Sequence, residues 1–469
     1  MKFPVLEKLK KFNIPKISFL NKINLAKVMV DKKKISIAIT ITVIVLIAIL
    51  GRKSPFGNNW EDVLPAADVF EDKPQSINTE NIYVAFFFEV YDLILGKFWN
   101  TLSEEQLGNI TKLAMEKISE KTITENPTTR TSLAKLLENT LGELSDEEKK
   151  KFTVQVTDLV LANLEPFGRS RLYTSKKQKE LADTVTNKAP RNHYEILETE
   201  KDASNEEVII AYNKKLTELN TQQQTDEIIK EKEFLESAFE VVGDAGNRKV
   251  YDELGVNPTI ENRLIGSNIF YIHITKFSPT TVDELQRVMQ KVDQGQVLDT
   301  LIVDLRGNIG GAIDGLPYFL GPFIGPNQYA YQFFSRGEKQ DFITKTGWLP
   351  SMIRYKKVVV LTDGEGQSSA EVFASVLKKY NVGVLVGEPT KGWGTVESVF
   401  KVNNQLDPEN EEYSVLLVHS LTLRDDGVPI EGKGVEPHIN TGTPNWEREL
   451  NKYFNFPEIT SAVRNLLNE

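Results

Sequence analysis

At 469 residues the chain is long enough for two or three domains, and 40% apolar with 26% charged residues is ordinary globular composition. A formal net charge of −10, with no basic stripe after residue 53, argues against nucleic-acid binding. Cysteine is absent, which excludes disulfides and thiolate metal sites, and the four histidines (His193, His273, His419, His438) stand at no metal-ligand spacing, so zinc and Ser-His-Asp chemistry find little support.

Residues 1–34 carry ten lysines and end in Lys32-Lys33-Lys34. Ile35 to Leu50 then runs sixteen residues without a charge, closed by Arg52 and Lys53. About 20 apolar residues span a bilayer comfortably, so a segment at 35–51 is at the short end. A signal-peptide core is the alternative, but no small-x-small cleavage site follows, which favours an uncleaved anchor. The lysine excess before the segment places the N-terminus in the cytoplasm. The expectation is a single-pass cell-membrane protein with an extracytoplasmic body.

Residues 54–80, rich in Pro, Gly, Asn and Asp, read as a linker. Residues 81–189 read as helical: Ile82, Phe86, Phe87, Val90, Leu93 and Ile94 recur at helical spacing, and Ser103-x-x-Gln106 and Ser145-x-x-Glu148 are capping-box starts. Residues 190–255 form a separate unit, with His193-Tyr-Glu-Ile-Leu197, Lys201-Asp-Ala-Ser-Asn-Glu-Glu207, Ala211-Tyr212, Ala238-Phe-Glu-Val-Val242 and Arg248-Lys-Val-Tyr-Asp-Glu-Leu-Gly255. This unit resembles a J domain of the chaperone-cofactor type. The resemblance departs at one place: Asn220-Thr-Gln-Gln-Gln224 stands where His-Pro-Asp would engage Hsp70. Hsp70 is therefore not an expected partner, and a helical spacer or binding module is.

Residues 262–440 alternate strands and helices. Ile269–Ile274 and Leu298–Leu305 read as strands, and Thr280–Val292 is amphipathic between them. The pattern predicts an α/β core, a mixed sheet flanked by helices. Within it, Val358–Leu361 is a buried strand that enters a Gly-rich turn, and a helix follows from Ser368, Ser369 or Ala370 to about Tyr380. Such a corner lifts a serine hydroxyl to a helix N-terminus, where free N–H groups favour developing negative charge. It suits an acyl-transfer nucleophile. Simple capping by Ser368 or Ser369 is the plainer alternative. Residues 441–469 read as a terminal packing helix.

Three blocks in this core carry a resemblance: Leu301-Ile-Val-Asp-Leu-Arg-Gly-Asn-Ile-Gly-Gly311, then Gly366-Gln-Ser-Ser-Ala-Glu371 with Val386-Gly-Glu-Pro-Thr390, then Gly432-Lys-Gly-Val-Glu-Pro-His-Ile439. In this order they resemble the C-terminal-processing (tail-specific) serine peptidases. The resemblance implies a polypeptide substrate, no cofactor and no metal. It also implies a helical region before the core, whose end looks like Leu164-Glu-Pro-Phe-Gly-Arg-Ser-Arg-Leu-Tyr173. A peptide-binding PDZ domain usually fills the slot held here by 190–255.

By the resemblance Ser368, three residues before Glu371, is the nucleophile. Ser369 would lend its N–H to the oxyanion hole, together with Gly310 or Gly311. The family's base is a lysine, deprotonated by burial and oriented by a glutamine. Here Trp393 takes the lysine's place and Glu397 the glutamine's, while a lysine stands at Lys391. Three readings follow: a Ser368/Lys391 dyad, a peptidase fold that binds polypeptide or partner proteins without cutting, and another base.

Overall fold

The computed structural model describes residues 80–293, 298–407, 409–424 and 426–468. The expected basic segment (1–34), membrane anchor (35–51) and nearly all of the linker (54–80) lie outside the described residues. No helix among the described residues is long and apolar enough to cross a membrane.

The helical region holds α1 (Ile82–Lys97), α2 (Glu104–Ser119), α3 (Arg130–Gly142) and α4 (Asp146–Ala162). Both expected capping boxes form: Ser103 N–H donates to Gln106 Oε1 at 2.9 Å, and Ser145 N–H to Glu148 Oε2 at 2.9 Å. α1 buries Val84, Phe86, Phe87, Phe88, Val90, Tyr91 and Ile94, wider than one stripe, because it lies between other helices and a sheet. The region is not wholly helical. β1 (Arg171–Thr174) precedes α5 (Ser175–Val185) and pairs antiparallel with residues 413–416. A four-residue strand carries too little periodicity to read, and its partner lies far along the chain.

α6 (His193–Leu197), α7 (Asn205–Asn220), α8 (Asp226–Val242) and α9 (Ala245–Leu254) follow. They close around their own core of Tyr194, Ile196, Leu197, Val208, Leu235, Ala238, Val241 and Val242. Ser204 and Glu207 form the capping box that starts α7.

The remainder runs β2 (Ile260–Ile265), β3 (Ile269–Ile274), α10 (Thr281–Asp293), β4 (Thr300–Asp304), a 3-10 turn (Ile313–Gly315), α11 (Leu316–Ile324), β5 (Tyr329–Ser335), β6 (Glu338–Ile343), α12 (Pro350–Ile353), β7 (Lys357–Thr362), α13 (Ser369–Lys379), β8 (Val384–Gly387), β9 (Thr395–Lys401), β10 (Tyr413–Leu423), β11 (Ile439–Asn440), α14 (Trp446–Phe454) and α15 (Pro457–Asn468). The expected mixed sheet is the six-stranded one, ordered β11-β8-β7-β4-β3-β2. It is parallel except for β2, which runs antiparallel to β3. Strands β3, β4, β7 and β8 are nearly continuous apolar runs because both of their faces are covered, whereas the edge strand β2 is mostly polar and exposed. Phe319, Leu320, Phe373 and Leu285 from α10, α11 and α13 cover one face, and Leu450, Ile459, Val463 and Leu466 from α14 and α15 the other. The terminal segment is two helices rather than one, because Asn455 turns left-handed (φ 47°) just before Pro457.

A second, antiparallel sheet was not anticipated. It orders β1-β10-β5-β6, with β9 also paired to β10. The helical region packs on it through Phe400, Val402, Tyr413, Val415 and Leu417. Three loops meet at the carboxyl ends of adjacent parallel strands, after β4, β7 and β8. In open α/β sheets that edge is where ligands bind.

Candidate active site

The loop after β7 is tied to the loop after β4 before any side chain of interest is placed. Asp363 accepts from Gly366 N–H at 2.9 Å on its own loop and from Gly307 N–H at 3.0 Å on the other. Gln367 N–H donates to Asn308 C=O at 3.0 Å. Ser368 then stands immediately before α13 with φ 57° and ψ −125°. An L-residue in such a sparsely populated region costs about 1–3 kcal/mol, and strain of this kind collects at functional sites. Ser368 also takes part in capping: its N–H donates to Glu371 Oε2 at 2.9 Å. The plainer reading and the nucleophile corner therefore describe one residue.

The glycine block lies against this corner. A Cβ on Gly310 (φ 89°) would fall 2.7 Å from Ser368 Cβ and 3.0 Å from Ser369 N. Gly310 N–H is spent on Asn308 Oδ1 at 2.8 Å. Gly311 (φ 139°) runs so close to Phe277 that a Cβ would fall 2.0 Å from its carbonyl oxygen, so only glycine fits there. Ser369 Oγ donates to Gly311 C=O at 3.0 Å. Among the described residues neither Ser369 N–H nor Gly311 N–H makes a hydrogen bond. Of the two glycines, then, Gly311 has an N–H to give.

Glu371 is the hub of the site. It is fully buried and accepts from Ser368 N–H, from Thr390 Oγ1 at 2.6 Å, and from the N–H groups of Gly392 and Trp393 at 2.7 Å each. Burial pushes its carboxyl up, and those four donors pull it back. One oxygen, Oε2, takes both the Ser368 and the Trp393 N–H, which fixes the 390–394 segment beside the serine.

The side chains of that segment diverge. Lys391 N–H donates to Gly366 C=O at 2.9 Å, but its side chain is 41% exposed and its Nζ sits 3.6 Å from the Glu365 carboxylate. Among the described residues no lysine or histidine nitrogen hydrogen-bonds Ser368 Oγ. The Trp393 indole carries the Arg169 guanidinium 3.3 Å over its ring centroid, and its Nε1–H donates to Glu397 Oε1 at 3.3 Å. Glu397 also accepts from Thr395 Oγ1 at 2.6 Å. It keeps a little accessible surface but is crowded on all sides, and desolvation raises its carboxyl while Thr395, Trp393 and Arg169 oppose the rise. Arg169 pairs in turn with Glu431 at 3.1 Å, and Glu431 accepts from Gly394 N–H at 2.7 Å.

Residues 268–441 match the family model described as peptidase family S41. The chain carries a peptidase family S41 domain. Over 190 residues it is 27% identical to the carboxy-terminal processing protease CtpB of Bacillus subtilis, covering 40% of this chain and 36% of that protein. Over 207 residues it is 29% identical to the tail-specific protease of Haemophilus influenzae, covering 43% and 26%. The match thus spans between a quarter and a little over a third of these relatives' length. Among solved structures, the photosystem II D1 C-terminal processing protease aligns over 77% of this chain and 93% of its own, at 14% identity and a TM-score of 0.42.

The S41 domain brings Ser368, Ser369, Gly310 and Gly311 together and leaves Lys391 at the rim. Two residues at the site were given no role from the sequence. Glu371 was legible as the last position of a Ser-x-x-Glu box. Arg169 lies before β1, and no local pattern connects it to Trp393.

Proposed function

We propose that this chain is a membrane-anchored serine endopeptidase of the C-terminal-processing type, acting on extracytoplasmic polypeptides. Ser368 is its nucleophile and Lys391 its base. The observation that carries the reading is the Ser368 backbone, held at φ 57° and ψ −125° beside two unspent N–H groups. A serine that served only as a cap would lose nothing by relaxing. In the reaction Ser368 Oγ attacks the scissile carbonyl carbon while its proton passes to the Lys391 amine. The oxyanion lies against the Ser369 and Gly311 N–H groups. The amine product leaves with that proton, and water then opens the acyl-enzyme to a carboxylate and free serine. Lys391 must first leave Glu365, a cost of no more than about 1 kcal/mol for an exposed ion pair, and must also give up a proton to water, since only the neutral amine can accept one. The names of the relatives, carboxy-terminal processing and tail-specific proteases, support a polypeptide tail as substrate. The lysines before residue 35 support the topology.

A second reading, binding without cutting, is favoured by Trp393 in the lysine's place under Arg169. Labelling with a serine-reactive phosphonate separates the two: the first reading expects labelling that Ser368→Ala abolishes, and the second expects none. For the topology, protease added to intact cells should digest the body, and its survival until lysis would overturn the extracytoplasmic orientation. The 190–255 unit is read as a degenerate J-like module. Gln222, Gln223 and Gln224 in its loop leave Hsp70 ATP turnover unstimulated, and a clear stimulation would defeat that reading.

A further inference from the structure

A cleft of about 980 Å³ opens between the 190–255 unit and the edge of the six-stranded sheet, away from Ser368. Its floor is β2, which pairs with β3 on one side only. The parity of that pairing shows which groups face the opening. Thr275 N–H donates to Thr259 C=O at 2.9 Å, so the odd-numbered residues of β2 face β3. Ile260, Asn262 and Leu264 turn their N–H and C=O groups outward.

Ile260 N–H is taken at 3.1 Å by Glu284 Oε2, a side chain standing where a strand partner would stand. The backbone N–H groups of Asn262 and Leu264 make no hydrogen bond among the described residues. An open row of this kind is a template for strand addition.

The walls carry charge that is unevenly spent. α8, α9 and the turn between them contribute Glu240, Asp244 and Gly246, and α10 contributes Glu284, Arg287 and Lys291. The cations are engaged. Arg287 donates to Gly246 C=O at 2.8 Å, Lys291 pairs with Asp244 at 3.6 Å, and Arg263 lies over the Tyr271 ring at 4.9 Å. His273 is held between Glu261, at 3.1 Å, and Arg306 C=O. Glu240 has no cation. Glu261 and Glu236 face it, and burial with those two neighbours pushes its carboxyl up. Glu284 is 3% exposed; its Oε2 accepts from Thr259 N–H at 2.6 Å and from Ile260 N–H, while its Oε1 accepts nothing. An edge strand with free amides beside Glu240, which has no cation, and Glu261, whose only charged partner is His273, is complementary to an extended chain bearing a positive side chain.

We propose that this cleft binds an extended segment of another polypeptide, which adds as a strand to β2 and sets a lysine or arginine between Glu240 and Glu261. The site holds its ligand whether or not Ser368 cuts.

The test is made on the full-length chain carrying Ser368→Ala, so that cleavage cannot consume the probe. The probe is a short fluorescent peptide alternating lysine and threonine, its twin alternates glutamate and threonine, and binding is read by anisotropy. The expected result is binding of the lysine peptide at least about tenfold tighter than its twin. Glu240→Lys with Glu261→Lys should reverse the preference, with circular dichroism confirming that the variant is folded. Methylating alternate backbone nitrogens of the lysine peptide should weaken it about tenfold or more, because strand addition uses those N–H groups. Equal binding of the twins, no binding, a preference unmoved by the charge reversal, or indifference to N-methylation overturns the proposal.

Discussion

Lys391→Ala and Glu365→Gln together test the proposed dyad at its weakest point. Lys391 reaches outward to Glu365, with side chains 41% and 74% exposed and 3.6 Å between charges. Exposed pairs are worth at most about 1 kcal/mol, and by the Boltzmann relation that amounts to roughly a fivefold shift in how often the amine is free. If Lys391 is the base, Glu365→Gln therefore speeds phosphonate labelling of Ser368 by no more than about fivefold. Lys391→Ala removes general-base help worth about 10²–10⁴-fold, and it should silence labelling as fully as Ser368→Ala does, since members of one catalytic unit fail together. The backbone of Lys391 is held by Gly366 C=O at 2.9 Å, so the alanine variant leaves the loop in place and the loss cannot be put down to unfolding. The assay is the second-order labelling rate followed by intact mass. Labelling that persists unchanged in Lys391→Ala would falsify the dyad.

Three further outcomes follow from the same geometry. In the non-cutting reading, Trp393→Lys with Glu397→Gln should create labelling where wild type has none: burial and the Arg169 cation both favour a neutral amine there, and the carboxylate that would hold it charged is gone; a double variant as silent as wild type refutes this. Gly311→Ala places a methyl group 2.0 Å from Phe277 C=O at φ 139°, so urea unfolding should show a loss of about 2–5 kcal/mol from overpacking and strain, and a loss under about 1 kcal/mol would mean the loop yields freely. The Glu397 carboxyl is raised by desolvation, so its stabilising contribution is present below the unfolded carboxylate pKa and is lost as pH rises through the folded value; Glu397→Gln should therefore raise Tm more at pH 8 than at pH 4, and the opposite ordering contradicts the assignment.

The nucleophile corner was legible because its determinants are local. A run of apolar residues, small residues in a turn and Ser-x-x-Glu prescribe strand, turn and capped helix within a few positions of one another. The glycine block was legible because a backbone that needs positive φ and close approach leaves glycine as its mark. The helices of 81–189 announced themselves through capping boxes and spacing. Tertiary structure decided the rest. β1 becomes a strand only because residues 413–416 lie beside it, and the second sheet exists only through such distant pairings. Lys391 and Trp393 are two residues apart, and nothing in their order says which side chain turns to solvent. That choice is made by Arg169 stacking on the indole and Glu431 anchoring Arg169, contacts between residues more than two hundred positions apart. The cleft beside β2 likewise arises where separately closed cores meet. Local pattern reaches about one helical turn along the chain, whereas the orientation of a side chain in a site is set by whatever the fold brings against it.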